Sequence, residues 1–240
     1  MYYTTPLTLP NYLCDQHDNL AMWAAARLFQ EVAGYHIATS GIGFSQLIQQ
    51  GKAWVLCRSY YQVRRLPHEG EHLMLRTWSR GTDGLFAFRE FQLLDEQGEA
   101  AVASTTYWAV IDLATRKVMR MHDMLVNFEH HPDLATDRDT IDRLRLPKGV
   151  ERPQPTARFA VRPSMLDHTS HVNNAEYVRW VFDHLPQGSV PSMPFRFFIE
   201  YVVETPPNDT VSLFAYPQPD STIFQITNSN SVAVMAKIEY

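Results

Sequence analysis

The sequence predicts an α+β protein made of two copies of one unit, each a long helix packed on a curled antiparallel sheet, with the two sheets joined. Three observations carry that expectation. A helical pattern followed by four strand-like runs occurs twice, the strand segments of the two copies can be laid over one another without a gap, and a Pro-interrupted charged stretch separates them.

In the first copy, Leu20, Trp23, Ala24, Leu28, Val32 and Ala33 recur at helical spacing, with Arg27, Gln30 and Glu31 on the opposite side. That is the pattern of an amphipathic helix. After a loop holding Gly41, Gly43 and Gly51, runs rich in β-branched and aromatic residues span Trp54 to Arg65, His72 to Ser79, Leu85 to Asp95 and Ala100 to Ile111. "GTDG" and "EQGE" supply turns between the last three, so the segment reads as an antiparallel meander.

The second copy repeats the order. Val172 to Leu185 places Ala175, Val178, Val181, Phe182 and Leu185 on one helical face, and strands are expected at Arg196 to Glu204, Thr210 to Tyr216, Ser221 to Thr227 and Val232 to Tyr240. "RSYYQVRRLPHEGEHLML" from Arg58 overlays "RFFIEYVVETPPNDTVSL" from Arg196, pairing Arg58 with Arg196, Gly70 with Asn208 and Leu75 with Leu213. Asp15 ahead of the first helix falls opposite Asp167 ahead of the second. A helix followed by a meander buries its apolar stripe on the concave face of a curled sheet, which is the hotdog arrangement. The open strand edge of each copy can pair with its twin, giving one continuous sheet and removing an aggregation-prone edge. The expected organisation is therefore an N-terminal hotdog over 1–122, a linker over 123–155 interrupted by Pro132, Pro147, Pro153 and Pro155, and a C-terminal hotdog over 156–240.

A chain of 240 residues, 45% hydrophobic and 20% charged with a net charge of −5, has the composition of a soluble globular protein and gives no nucleic-acid signature. "MYYTTPLTLPNYL" lacks a basic n-region and an apolar h-region, and no run approaches the roughly eighteen apolar residues of a spanning helix. A cytoplasmic location without membrane attachment is expected. Cys14 and Cys57 sit in apolar-leaning segments and read as small buried thiols, not as a disulfide or metal pair.

Several motifs compete for a chemical role. "HEGEH", His68 to His72, matches a zinc-protease pattern that works only on a helix, yet Pro67 precedes it, Gly70 lies at its centre and a strand-like run follows. It reads as a solvated turn, and no metal or other cofactor is expected. The adjacent His130 and His131 have poor ligand geometry, and "GIGF" from Gly41 follows no strand. "DHTSHVNN", Asp167 to Asn174, is different. A helix cap needs one side-chain oxygen, from Ser170 or Asn173, with Glu176 able to close a capping box. Here Asp167, Thr169, His171 and Asn173 alternate, and in an extended approach they would all point one way. The surplus of polar groups beside a helix N-terminus, whose N–H groups suit a developing oxyanion, marks a candidate site.

These residues carry a resemblance to the acyl-acyl-carrier-protein (acyl-ACP) thioesterases of plants and bacteria, a tandem-hotdog family. "WVLCRSYYQV", "HLMLRTW" and "TTYWAVIDLATRKVMRM" resemble its first-half segments, and "LDHTSHVNNAEYVRWVFD" resembles its Asp-x-Asn-x-His-Val-Asn-Asn-x-x-Tyr signature. "IEYVVET" resembles its Glu-Tyr-Arg-Arg-Glu-Cys. The resemblance implies hydrolysis of fatty acyl-ACP thioesters, ending chain elongation in fatty acid biosynthesis. It implies an active site of Asp167, His171 and Glu204, with Thr169 in place of the family's Asn and Thr205 in place of its Cys. A thiol nucleophile at that position is thereby excluded, which leaves carboxylate chemistry by Glu204 or Asp167 on water or on the thioester carbon. Apolar neighbours in "YVVETPP" would raise the pKa of Glu204 if it is buried. His171 would orient or donate, its competing role being that of a core histidine, and Asn173 would help to bind substrate.

The first copy has Asp15, His17 and Asn19 but no "HVNN", so a single site in the second copy is expected. The first half would then hold the acyl tail, with Met22, Trp23 and Trp54 as candidate walls or simple core. An acidic carrier protein would dock on a basic patch, and from Arg138 to Arg162 there are seven Lys or Arg against three Asp or Glu. A homodimer is left open. The rival readings are an acyl-CoA thioesterase using the same residues, a hotdog dehydratase, and a non-catalytic acyl-binding module whose acid and base groups would stand apart.

Overall fold

The computed structural model describes residues 2–38, 40–121, 128–186 and 191–240. The first copy runs β1 (Tyr3–Thr8), α1 (Met22–Ala38), the short α2 (Phe44–Gln49), β2 (Lys52–Val63), β3 (His72–Thr82), β4 (Ala87–Leu94) and β5 (Ala100–Asp112). The second runs β6 (Ala157–Ala160), α3 (Asn174–Asp183), β7 (Phe195–Tyr201), β8 (Thr210–Gln218), β9 (Ser221–Thr227) and β10 (Val232–Glu239). All ten strands form one antiparallel sheet in the order β1-β3-β4-β5-β2-β7-β10-β9-β8-β6, a tandem hotdog with the two sheets joined. Both helices and all eight expected strands are present. The edge strands β1 and β6 and the helix α2 have no counterpart in the sequence reading, and β7 stops at Tyr201, short of Glu204.

The junction is the pairing of β2 with β7, and its register is self-consistent. Arg58 faces Glu200, Tyr60 faces Phe198 and Gln62 faces Arg196. The overlay of Arg58 on Arg196 carries Tyr60 onto Phe198 and Gln62 onto Glu200, so these pairs are what a local twofold axis through Tyr60 and Phe198 requires. Their rings stack with centroids 4.5 Å apart. The copies also match in their turns: Gly70 (φ 78°) and Asn208 (φ 63°) both take the left-handed conformation, which Gly and Asn tolerate better than other residues.

Alternation along the strands sorts the core. Tyr61, Val63, Phe91, Phe197 and Ile199 point to the concave face, where Phe29 and Val32 of α1 and Val178 and Val181 of α3 cover them. Tyr60, Tyr107 and Phe198 point to the other face. There the predicted linker, of which 123–127 lie outside the described residues, does more than connect. Ile141 and Leu144 pack on the Tyr60 cluster, and Leu144 and Leu146 on Phe214, Tyr216 and Met235. Polar pins hold this strap. Asp137 accepts from Tyr60 Oη (2.5 Å) and Arg196 Nη2 (2.8 Å), and Arg80 bonds to both Asp139 and the buried Glu90.

Candidate active site

The segment ahead of α3 is a tight loop. Leu166 bridges Val172, the Asp167 N–H donates to the His171 carbonyl (2.8 Å), and Ser170 closes the turn at φ 62°. An extended approach with alternating side chains is therefore replaced by a turn, for a local reason. The Asp167 carboxylate accepts backbone N–H groups from Thr169 (2.8 Å) and His171 (3.3 Å), folding the chain around its Oδ1. The first copy builds the same loop. Asp15 Oδ1 accepts from the N–H groups of His17 (2.8 Å) and Asn19 (3.1 Å), with Asp18 at φ 61°.

What differs is the side chains carried on that frame. Thr169 Oγ1 donates to Asp167 Oδ1 (2.6 Å) and lies 3.2 Å from His171 Nδ1, while His171 Nε2 lies 3.5 Å from Glu204 Oε2. Arg116 pairs closely with the same Glu204 oxygen. The structure thus brings Asp167, Thr169, His171 and Glu204 into one chain of contacts, whose last link, His171 to Glu204 at 3.5 Å, is an ion-pair distance just beyond a direct hydrogen bond. Proton bookkeeping orders it. The single hydroxyl proton of Thr169 goes to Asp167, so Thr169 accepts from His171 Nδ1–H. Nε2 is then a donor toward Glu204 in the imidazolium and a bare acceptor in the neutral ring. Glu204 and His171 can therefore share one proton. Asp167 Oδ1, with three donors already on it, is committed to holding the loop.

Glu204 sits in the loop after β7. The burial expected from its apolar neighbours does not occur: Val202 and Val203 turn outward, and the Glu204 side chain is 35% exposed. Its position is fixed by the chain on either side, since the Val172 N–H donates to the carbonyl of the buried Thr205 (3.2 Å) and Asn228 Nδ2 to the Glu204 carbonyl (3.3 Å). In the first copy Leu20 N–H donates to the Pro67 carbonyl in the same way (2.8 Å). That match places Leu66 opposite Glu204, Asn19 opposite His171 and His17 opposite Thr169.

At the entrance of α3, Asn173 Oδ1 caps the Ala175 N–H (2.9 Å). Glu176 does not complete a capping box; it is buried and turns to Arg27 of α1 (2.8 Å) and Arg179 (3.4 Å). Tyr201 Oη donates to the Asn174 carbonyl (3.2 Å). Tyr201 also packs on a cluster in the first copy formed by Leu47, Leu56, Trp108 and Val110, with Phe44 and Trp54 beside it. A small, mostly apolar cavity of about 30 Å³ opens there, lined in part by Ala33, Ile37, Phe44, Trp54 and Trp108. Of the three residues expected as tail walls, Trp54 lines this cavity, Met22 is buried in the main core, and Trp23 lies under the guanidinium of Arg179, 4.1 Å from its ring centre.

The remaining motifs have structural places. "HEGEH" is a turn: His68 N–H donates to Glu71 Oε2 (3.0 Å), Glu71 pairs with Arg65, and His72 opens β3 with Nδ1 3.0 Å from Thr8 Oγ1. His131 stacks on Tyr2. Cys14 and Cys57 are free and part-buried, and burial pushes the Cys57 thiol up to about 11. In the basic stretch, Arg138 stacks over Phe198, Arg143 lies 3.7 Å from Glu200, and Arg152 stacks over Phe214. Nothing in the sequence marks Arg116 as a site residue. It occupies the turn after β5 at φ 59°, a conformation that the "DLATRK" hairpin hints at, but its partner lies in the other copy.

The family model described as the acyl-ACP thioesterase N-terminal domain matches residues 1–128, and that of the acyl-ACP thioesterase C-terminal domain matches 151–239. The chain is 26% identical over 231 residues to oleoyl-acyl carrier protein thioesterase 2, chloroplastic, of Arabidopsis thaliana, covering 90% of this chain and 63% of that relative. It spans less than two thirds of the length of such relatives. An acyl-ACP thioesterase structure from Bacteroides thetaiotaomicron superimposes with a TM-score of 0.79 at 22% identity, covering 99% of this chain and 97% of that one. The 12:0-ACP thioesterase from Umbellularia californica superimposes with a TM-score of 0.85 at 20% identity, covering 99% and 96%. No described helix is long and apolar enough to cross a membrane.

Proposed function

The chain belongs to the acyl-ACP thioesterase family, and from that premise we propose that it hydrolyses the thioester of fatty acyl-ACP in the cytoplasm, releasing free fatty acid and ending chain elongation. The observation that carries this reading is the contact chain Asp167–Thr169–His171–Glu204 in the second copy, set against Asp15, His17, Asn19 and Leu66 at the matching places of the first. One site serves both copies.

In the proposed reaction Glu204, paired with Arg116, takes a proton from a water molecule whose oxygen attacks the thioester carbon. Negative charge gathers on the carbonyl oxygen beside the N-terminus of α3, where backbone N–H groups point outward. The C–S bond then breaks. The proton passes from Glu204 through His171 Nε2 to the departing sulfur, so the products are a carboxylic acid and a thiol, with every group restored. Asp167 and Thr169 position the imidazole. The thiols of Cys14 and Cys57, each turned to a backbone carbonyl, of Pro10 and of Val55, take no part. The acyl tail extends past Tyr201 toward the cavity at Trp54 and Trp108, with Asn173 at the mouth. The basic excess between Arg138 and Arg162 supports an acidic carrier domain as partner.

The test compares release of one acyl group from carrier protein and from coenzyme A by the wild type and Glu204→Gln. Faster release from the carrier, abolished in the variant, is the expected result. Equal or faster release from coenzyme A makes the protein an acyl-CoA thioesterase, and no release from either leaves only an acyl-binding module.

A further inference from the structure

β4 presents Ala87, Arg89, Phe91 and Leu93 to the concave face, so a guanidinium occupies a position where its neighbours on the same strand are core residues. Arg89 is only 7% exposed. It lines the first-copy cavity together with Ala33, Ile37, Phe44, Trp54 and Trp108. Its Nη1 donates to His36 Nδ1 (3.0 Å) and Thr77 Oγ1 (3.3 Å), both neutral acceptors in this arrangement, and no carboxylate among the described residues forms an ion pair with it. Burial lowers His36 to about 4, ahead of the effect of Arg89 itself, which keeps the imidazole neutral and able to accept. A desolvated cation without an anionic partner is costly. An unmodified alkyl chain lying against it would remove what water remains and return nothing.

We propose that Arg89 is a specificity-determining residue of the acyl pocket, selecting acyl chains that carry an oxygen-bearing group, a hydroxyl, oxo or carboxylate, at its depth. The inference rests on the thioesterase reading for the identity of the ligand. It adds the substrate class: a chain apolar along the Trp54 and Trp108 walls and polar where it meets the guanidinium, whose planar fork suits one or two oxygens.

The test uses free acids in a length ladder, each unmodified or bearing a terminal hydroxyl or carboxyl, with affinity read by thermal shift and titration calorimetry. Hydrolysis is not needed for this readout. The expected result is a length at which the oxygenated acid binds wild type about tenfold more tightly than the unmodified acid, and loss of that preference in Arg89→Met with the unmodified acid bound at least as well. Equal binding of both series by wild type at every length overturns the proposal, as does a preference that survives in Arg89→Met. The wild-type ratio decides even if that variant fails to fold, and Arg89→Lys, which keeps the charge and loses the fork, should then weaken the preference. Wild type that shows the preference yet releases no acid from any thioester would sink the thioesterase reading and leave this one standing.

Discussion

His171 Nε2 lies 3.5 Å from Glu204 Oε2, joining the loop before α3 to the loop after β7, and neither residue has a like counterpart in the first copy. Replacing Glu204 by Gln should therefore lower kcat by about two orders of magnitude or more without changing Tm, because a partly exposed side chain loses its chemistry and little packing. Steady-state turnover and a melting curve on the same preparation check both halves. Asp167→Asn should cost less, since an amide oxygen can still accept the loop N–H groups. Asp15→Asn, the same change in the matching loop, should leave kcat untouched.

Thr169 is the link between the Asp167 carboxylate and the His171 ring. Thr169→Ala frees Nδ1 and should reduce kcat roughly tenfold, in line with losing one hydrogen bond of about 1.4 kcal/mol. Thr169→Asn restores a side chain that accepts and donates and should match wild type. An alanine variant with full activity would reduce this residue to a loop former.

Arg116 reaches across from the first copy, and its pair with Glu204 is half open to solvent. Such pairs add little to stability. Arg116→Gln should leave Tm within error and lower kcat/KM several-fold, about threefold to tenfold, by leaving the carboxylate without its cation. A fall in Tm with unchanged kinetics would reassign the pair to holding the two copies together.

The strap over the outer sheet face depends on Asp137. Burial pushes its carboxyl up, but the bonds from Tyr60 and Arg196 outweigh burial and hold it below the ordinary range. For an acid depressed in the folded state, the stabilisation is complete above the unfolded value of about 3.9 and is lost as pH falls through the folded value. Asp137→Asn should then destabilise by about 1 kcal/mol at neutral pH, discounted for exposure, or about 2–4 °C in Tm. Melting curves for wild type and variant should converge below about pH 4. A constant gap between them would show that Asp137 is not the titrating pin.

Much of this architecture can be read from the chain because its signals are periodic and local. The stripe from Leu20 to Ala33 and the runs ending at Arg65, Asp95 and Ile111 carry their own pattern, and the overlay of Arg58 on Arg196 anticipates the twofold at Tyr60 and Phe198. The edge strands carry no such signal. β1 contains Pro6 and β6 is four residues long, and both exist because β3 and β8 offer them partners. α2 is too short for a helical period to show. At the site, the residues of "DHTSHVNN" announce themselves by their density, whereas the exposure of Glu204 depends on Val202 and Val203 turning outward. Arg116 depends on the fold of the other copy.

The register of β2 on β7 makes both halves members of one sheet encoded in a single reading frame. A hotdog pair assembled from two identical chains would receive each substitution twice, so any change that helped a tail pocket would also appear in the catalytic loop. Covalent tandem linkage removes that constraint. Asn19 and Leu66 could replace a working imidazole and carboxylate in one half while His171 and Glu204 stayed in the other. Selection can thus tune where the substrate lies and how it is cleaved on separate stretches of one gene.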